Sequence, residues 1–109
     1  SAASDVYKRQ MFSDEELRKV SILFRAFGNP IRFKIVALVS GTKRPLHIKA
    51  VARLLKRDYA ATYRHVKVLE KSGLLGIYEV GRSRVLYPKD EELINLFLSF
   101  AKKLAQKNI

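Results

Sequence analysis

The chain of 109 residues has no cysteine and only two histidines, His47 and His65. The first absence excludes disulfides, thiolate metal sites, iron–sulfur clusters and cysteine nucleophiles together. Two isolated histidines without further ligands make a poor metal site, so no metal and no cofactor is expected. The longest clean apolar stretch is Ile35-Val36-Ala37-Leu38-Val39, far short of the roughly 20 residues a bilayer requires. The first ten residues lack the apolar core of a signal peptide. A soluble, cytoplasmic protein with no membrane partner is the expectation. There is no glycine-rich phosphate loop, no nucleophile elbow and no cluster of carboxylates, so no catalytic residue is assigned and the chain reads as no enzyme.

Acidic residues are scarce as well: 10 Asp and Glu stand against 22 Lys and Arg, a formal +12. A chain this long builds one domain. Its apolar share of 48% is enough for a core. The charge attracts a polyanion, either nucleic acid or an anionic membrane surface.

The pattern along the chain predicts four helices, a β-hairpin and a last helix. Ser13-Asp14-Glu15-Glu16 has the form of a capping box and starts a helix at residue 14. Its stripe is Leu17, Val20, Leu23, Phe24 and Phe27. Asn29 and Pro30 open a second helix that turns Ile31, Ile35, Leu38 and Val39 inward until Gly41. Residues 42–46 lead either into a short strand or directly into a third helix, with Ile48, Val51, Ala52, Leu54 and Leu55 as its buried face. Asp58 caps a fourth helix beginning at Tyr59 or Ala60, with Thr62, Val66 and Leu69 inward and Gly73 at its C′ position. Leu74–Val80 and Arg84–Pro88, joined by Gly81-Arg82-Ser83, read as the hairpin. Ile77, Val85 and Tyr87 are taken as its core side, with a one-residue ambiguity in register. Asp90 caps the last helix. The expected organisation is an appended or disordered segment over residues 1–12 (a short basic arm if native), a folded domain over 13–89 and a last helix over 90–109.

Third and fourth helices joined by a tight turn and followed at once by a basic hairpin make a winged helix-turn-helix, an α+β fold that is mostly α. Residues 43–89 carry twelve basic side chains against three acidic ones, +9 of the total +12. Such a concentration suits a protein that neutralises phosphates. The fourth helix, about residues 59–72, is the expected recognition helix in a major groove, with the wing, residues 80–86, on the adjacent minor groove or backbone. Tyr63, Arg64 and Ala60 are the candidate base contacts, since Arg reads guanine edges and a small Ala permits close approach. Tyr63 has an alternative in packing against the second helix. Lys49, Arg57, Tyr59, His65, Lys67 and Lys71 are backbone candidates; His65 is open between a phosphate contact and plain packing, and His47 between a phosphate contact and a helix cap. Arg82, Ser83 and Arg84 are the wing candidates, because narrow minor grooves attract Arg.

The last helix carries more apolar residues than the roughly 100° stripe that one core contact needs. Leu93, Phe97, Phe100 and Leu104, with Leu17 and Phe24 of the first helix, are therefore the expected interface of a symmetric homodimer.

Phe24-Arg25-Ala26-Phe27-Gly28-Asn29-Pro30-Ile31-Arg32-Phe33-Lys34-Ile35 resembles the opening of ArsR-type winged-helix regulators. Residues 63–75 resemble their recognition helix and its exit, a motif shared with MarR and other winged-helix groups, and residues 81–87 resemble their wing. The resemblance spans residues 17–100. It implies a homodimeric, sequence-specific repressor of double-stranded DNA. Many members sense metals through Cys on the third helix or Asp and His on the last. This chain has neither the Cys nor the His, so metal sensing is not expected, and regulation is left open between another ligand, protein abundance and none. The same charges would also serve a sequence-neutral architectural nucleic-acid binder, or a winged-helix module with an acidic protein partner.

Overall fold

The computed structural model of the protein describes residues 2, 5 and 11–107. Of the segment expected as an appendage, residues 1, 3, 4 and 6–10 lie outside the described residues, and Met11 and Phe12 are exposed. The elements run α1 (Asp14–Phe27), α2 (Pro30–Gly41), β1 (Leu46–His47), α3 (Ile48–Leu55), α4 (Tyr59–Lys71), β2 (Leu75–Val80), β3 (Ser83–Pro88) and α5 (Glu91–Ala105). The strands form one antiparallel sheet in the order β1-β3-β2. This is the winged helix-turn-helix expected from the element order, with a two-residue third strand.

Local chemistry sets the helix starts. Ser13 Oγ accepts from the Glu16 amide at 3.1 Å while the Glu16 carboxylate accepts from the Ser13 amide at 2.9 Å, a complete capping box. Asn29 Oδ1 accepts from the amides of Ile31 and Arg32, ahead of Pro30 in the first turn. Asp90 Oδ1 accepts from the Leu93 amide at 3.0 Å.

The core is built from Ala26 and Phe27 of α1, Ile35, Val36 and Val39 of α2, Ile48 and Val51 of α3, Val66 and Leu69 of α4, Leu75 and Leu86 of the sheet, and Ile94 of α5. Helix α5 is held by Ile94, by Phe97 stacked on Phe27 with ring centroids 3.9 Å apart, and by a hydrogen bond from Ser40 Oγ to Asn95 Oδ1.

Several expectations about faces need correction. Leu54, taken as buried, is 57% exposed, because it lies off the face of α3 that Ile48, Val51, Ala52 and Leu55 turn to the core. Tyr87, taken as core-facing, is 37% exposed, whereas Val85, as expected, and Leu86 are the buried residues of that strand. The register explains it: Leu86 pairs with Ile77 and Tyr87 with Gly76, so the two lie on opposite faces of the pleat. The Tyr87 ring lies over Gly76, where an added Cβ would come within 2.2 Å of its Cζ. The wing turn is also one residue shorter than expected. Ser83 pairs with Val80 within the ladder, leaving Gly81 and Arg82 as a two-residue turn. Gly81 has φ +61°, as the first central position of a type II′ hairpin requires.

Candidate nucleic-acid interface

The turn between α3 and α4 fixes the presentation of α4. Lys56 leaves α3 in the left-handed region at φ 55°, and the Arg57 amide donates back to the Ala52 carbonyl at 3.0 Å, closing a Schellman motif. Asp58 then caps α4, its Oδ1 accepting from the Ala61 amide at 2.6 Å. Thr62, fully buried, donates its hydroxyl to the Asp58 carbonyl at 2.9 Å, so the one polar group in the buried stripe is satisfied. With Thr62, Val66 and Leu69 inward, helical geometry places Ala60, Arg64, Lys67 and Lys71 within an arc of about 60° on the outward side. At the far end the Leu74 amide donates to the Leu69 carbonyl around Gly73, which has φ +87°.

Of the candidate base contacts, Ala60 and Arg64 are exposed on this arc. Tyr63 is not free on it. Its ring is half-buried against the core, stacked on Tyr59 with centroids 6.1 Å apart and planes 9° from parallel. Two cations flank that ring: the Arg84 guanidinium at 4.7 Å and the Lys67 ammonium at 5.9 Å from its centroid. Both distances are within cation–π range. Val68, which sequence reasoning left out, is 40% exposed at the edge of the same face.

The backbone candidates separate in the same way. Lys49, Arg57 and Lys71 are exposed. Lys67 Nζ is 2.6 Å from the Glu70 carboxylate, whose hydrogen bond holds the lysine pKa above its ordinary value. Tyr59 is 40% exposed, and its hydroxyl accepts a long hydrogen bond of 3.4 Å from Arg84 Nη1. His65 points away from the arc, towards α2, with Nδ1 3.4 Å from Arg32 Nη1. Since guanidinium has only donors, Nδ1 is the acceptor and the neutral ring carries its proton on Nε2. Burial first, then the charges of Arg32, Arg57 and Arg64, push the His65 pKa below its ordinary 6.5. His47 is exposed and stands at the N-cap position of α3, as one of its two readings had it, but its side chain makes no cap bond.

On the wing, Arg82 is exposed at the turn and Ser83 is half-buried beside it. Arg84 turns back onto α4. Its bond to Tyr59, followed by the electrostatic pull of Tyr63, holds its pKa above the ordinary arginine value. This helix-to-wing cluster had no signature in the sequence, since Tyr59 and Arg84 are distant in the chain.

Among the residues expected at a dimer seam, Leu17, Phe24, Leu93, Phe100 and Leu104 are exposed. Phe97 is spent differently: besides its stack on Phe27, it lies 6.2 Å from both Phe24 and Phe33, within one subunit. Between α1 and α5 an apolar groove of about 120 Å³ is lined by residues including Val20, Leu23, Phe24, Leu74 and Leu93. Among the described residues, no cluster of three or more His, Cys, Asp or Glu could hold a metal ion, and no helix is long and apolar enough to cross a membrane.

The family model HVO_A0114 matches residues 29–94, from the cap of α2 into the first turn of α5. No curated protein matches the chain. Among solved structures, a homodimeric winged helix-turn-helix DNA-binding domain of a possible ArsR-family regulator from Mycobacterium bovis superposes with TM-score 0.74 at 19% identity, over 87% of this chain and 88% of that one. HlyU from Vibrio cholerae superposes with TM-score 0.71 at 16% identity, over 81% of this chain and 97% of that one. The antimony-specific transcriptional repressor AntR gives TM-score 0.70 at 17% identity, over 91% of each chain. The fold is the ArsR-type winged helix.

Proposed function

The chain belongs to the HVO_A0114 family, and from that premise we propose that it is a sequence-specific, homodimeric regulator of double-stranded DNA that acts as a repressor. The observation that carries this reading is one surface: the outward arc of α4, with Ala60, Arg64 and Lys71 exposed on it, and the basic wing braced against that helix by Arg84. A major groove admits such a helix. Arg64 is the base reader, supported by Ala60, which lets the first turn of α4 approach. Lys49, Arg57 and Lys71 hold phosphates, and Arg82 enters the minor groove.

The homodimer is supported by exposed Phe24, Leu93, Phe100 and Leu104, apolar side chains on α1 and α5 that the subunit does not cover itself. The Mycobacterium bovis domain is a homodimer and AntR a repressor, and both assignments are carried to this chain as part of the proposal.

The test is a pair of substitutions on duplexes that the protein enriches from a random pool. Arg64→Ala lowers affinity for the enriched duplex by about 10-fold or more and relaxes preference at one base pair, as expected for loss of a bidentate contact. Lys71→Ala weakens enriched and random duplexes equally and flattens the salt dependence by about one unit of slope. Equal losses on both duplexes for both variants would sink the assigned roles.

A further inference from the structure

The two wing arginines sit in different surroundings. Arg82 is exposed on the two-residue turn. Arg84, two residues later, places its guanidinium 4.7 Å from the Tyr63 ring centroid and its Nη1 3.4 Å from the Tyr59 hydroxyl. Tyr59 and Tyr63 are one helical turn apart on the wing-facing flank of α4 and stack nearly parallel. Glu79, the register partner of Arg84 across the hairpin, adds attraction from the wing side.

We propose that Arg84 is a positioning residue rather than a DNA contact: clamped between Tyr59 and Tyr63, it locks the wing to the recognition helix, so that Arg82 alone is the wing's finger into the duplex. The physical reason is leverage. A two-stranded hairpin is marginal by itself; β1 supports this one only as far as Val85, and beyond that residue Arg84 makes the wing's one described side-chain tie to α4. A hairpin free to pivot would lose orientational entropy on reaching DNA; one already tied at its midpoint would not. Tyr63 also serves the core, so its ring is itself held, and the clamp transmits the position of α4 to the wing. This assignment of Arg82 and Arg84 rests on the DNA-binding reading, whereas the clamp itself does not.

The experiment has two arms on the full chain. Backbone 15N relaxation of the free protein reads the clamp. In the wild type, residues 79–84 have order parameters near the rigid value of about 0.85, and in Arg84→Ala and in Tyr63→Leu they fall toward about 0.6, with cross-strand contacts between Ile77 and Leu86 kept. Unchanged wing order in both variants would overturn the clamp. The second arm is the salt dependence of binding to a mixed-sequence 24-bp duplex. Arg82→Ala lowers the slope by about one unit, and Arg84→Ala weakens binding with the slope kept. A slope lowered equally by Arg84→Ala would make it a DNA contact and overturn the division of labour. If the wild type binds no duplex at all, the DNA-binding reading falls, and the relaxation arm still decides the clamp.

Discussion

Arg32 of α2 and His65 of α4 meet at 3.4 Å, with the same guanidinium donating to the carbonyls of Ala26 at 2.8 Å and Arg25 at 3.1 Å. One arginine thus gives the Ala26 carbonyl a partner, adds a second donor to the Arg25 carbonyl beside the Gly28 amide, and ties the end of α1 to the helix that presents the basic face. His65 must stay neutral for this contact, because a protonated ring would face Arg32, Arg57 and Arg64.

That arrangement sets a pH dependence. With the folded-state pKa of His65 below 6.5, the unfolded chain binds more protons between the two values, so stability rises with pH through that window and is lost as pH falls below about 6.5. In urea titrations at pH 7.5 and 5.5, the wild type is expected to lose more stability on acidification than His65→Gln, whose amide oxygen can still accept from Arg32. An equal loss in both would show that His65 is not the linked group.

Phe97 and Phe100 of α5 allow folding and the proposed assembly to be tested apart. Phe97 packs on Phe27 at 3.9 Å, and Phe100 is 60% exposed. Phe97→Ala is expected to cost about 3 kcal/mol of stability, as truncation of a packed aromatic ring does. Phe100→Glu should leave the fold intact and convert a dimer into a monomer by light scattering at micromolar concentration. A monomeric wild type, or a dimeric Phe100→Glu, would contradict the proposed seam.

Gly76 and Tyr87 offer a double-mutant cycle in the wing. Gly76→Ala forces a Cβ against the Tyr87 ring and should destabilise by about 1–3 kcal/mol, the usual range for overpacking. Adding Tyr87→Ala removes the clash and should recover most of that loss relative to Tyr87→Ala alone, read by chemical denaturation. Full additivity would mean the ring does not depend on the absent side chain.

Most of the fold was legible because its signals are local. Ser13, Asn29, Asp58 and Asp90 each act within three residues, and Thr62, Val66 and Leu69 repeat at helical spacing. What the sequence hid depends on pairing across the chain. The place of Leu86 follows from a hairpin register, which alternation leaves open to a slip of one. The Arg84–Tyr63 and Arg32–His65 contacts join residues with no sequence relation, so neither contact was legible. Leu54 misled because hydrophobicity alone does not set its angle: Ile48, Val51, Ala52 and Leu55 share one face of α3, and Leu54 falls about 110° from its centre.

Duplex recognition by two copies of α4 and its wing is tested most directly by selection from a pool of random double-stranded DNA. The expected result is an enriched motif with two-fold symmetry, its half-sites about one helical turn, roughly 10 bp, apart. Recovery of duplexes with no shared motif, or no retained duplex at ~50 mM salt, where phosphate contacts are strong, would contradict it.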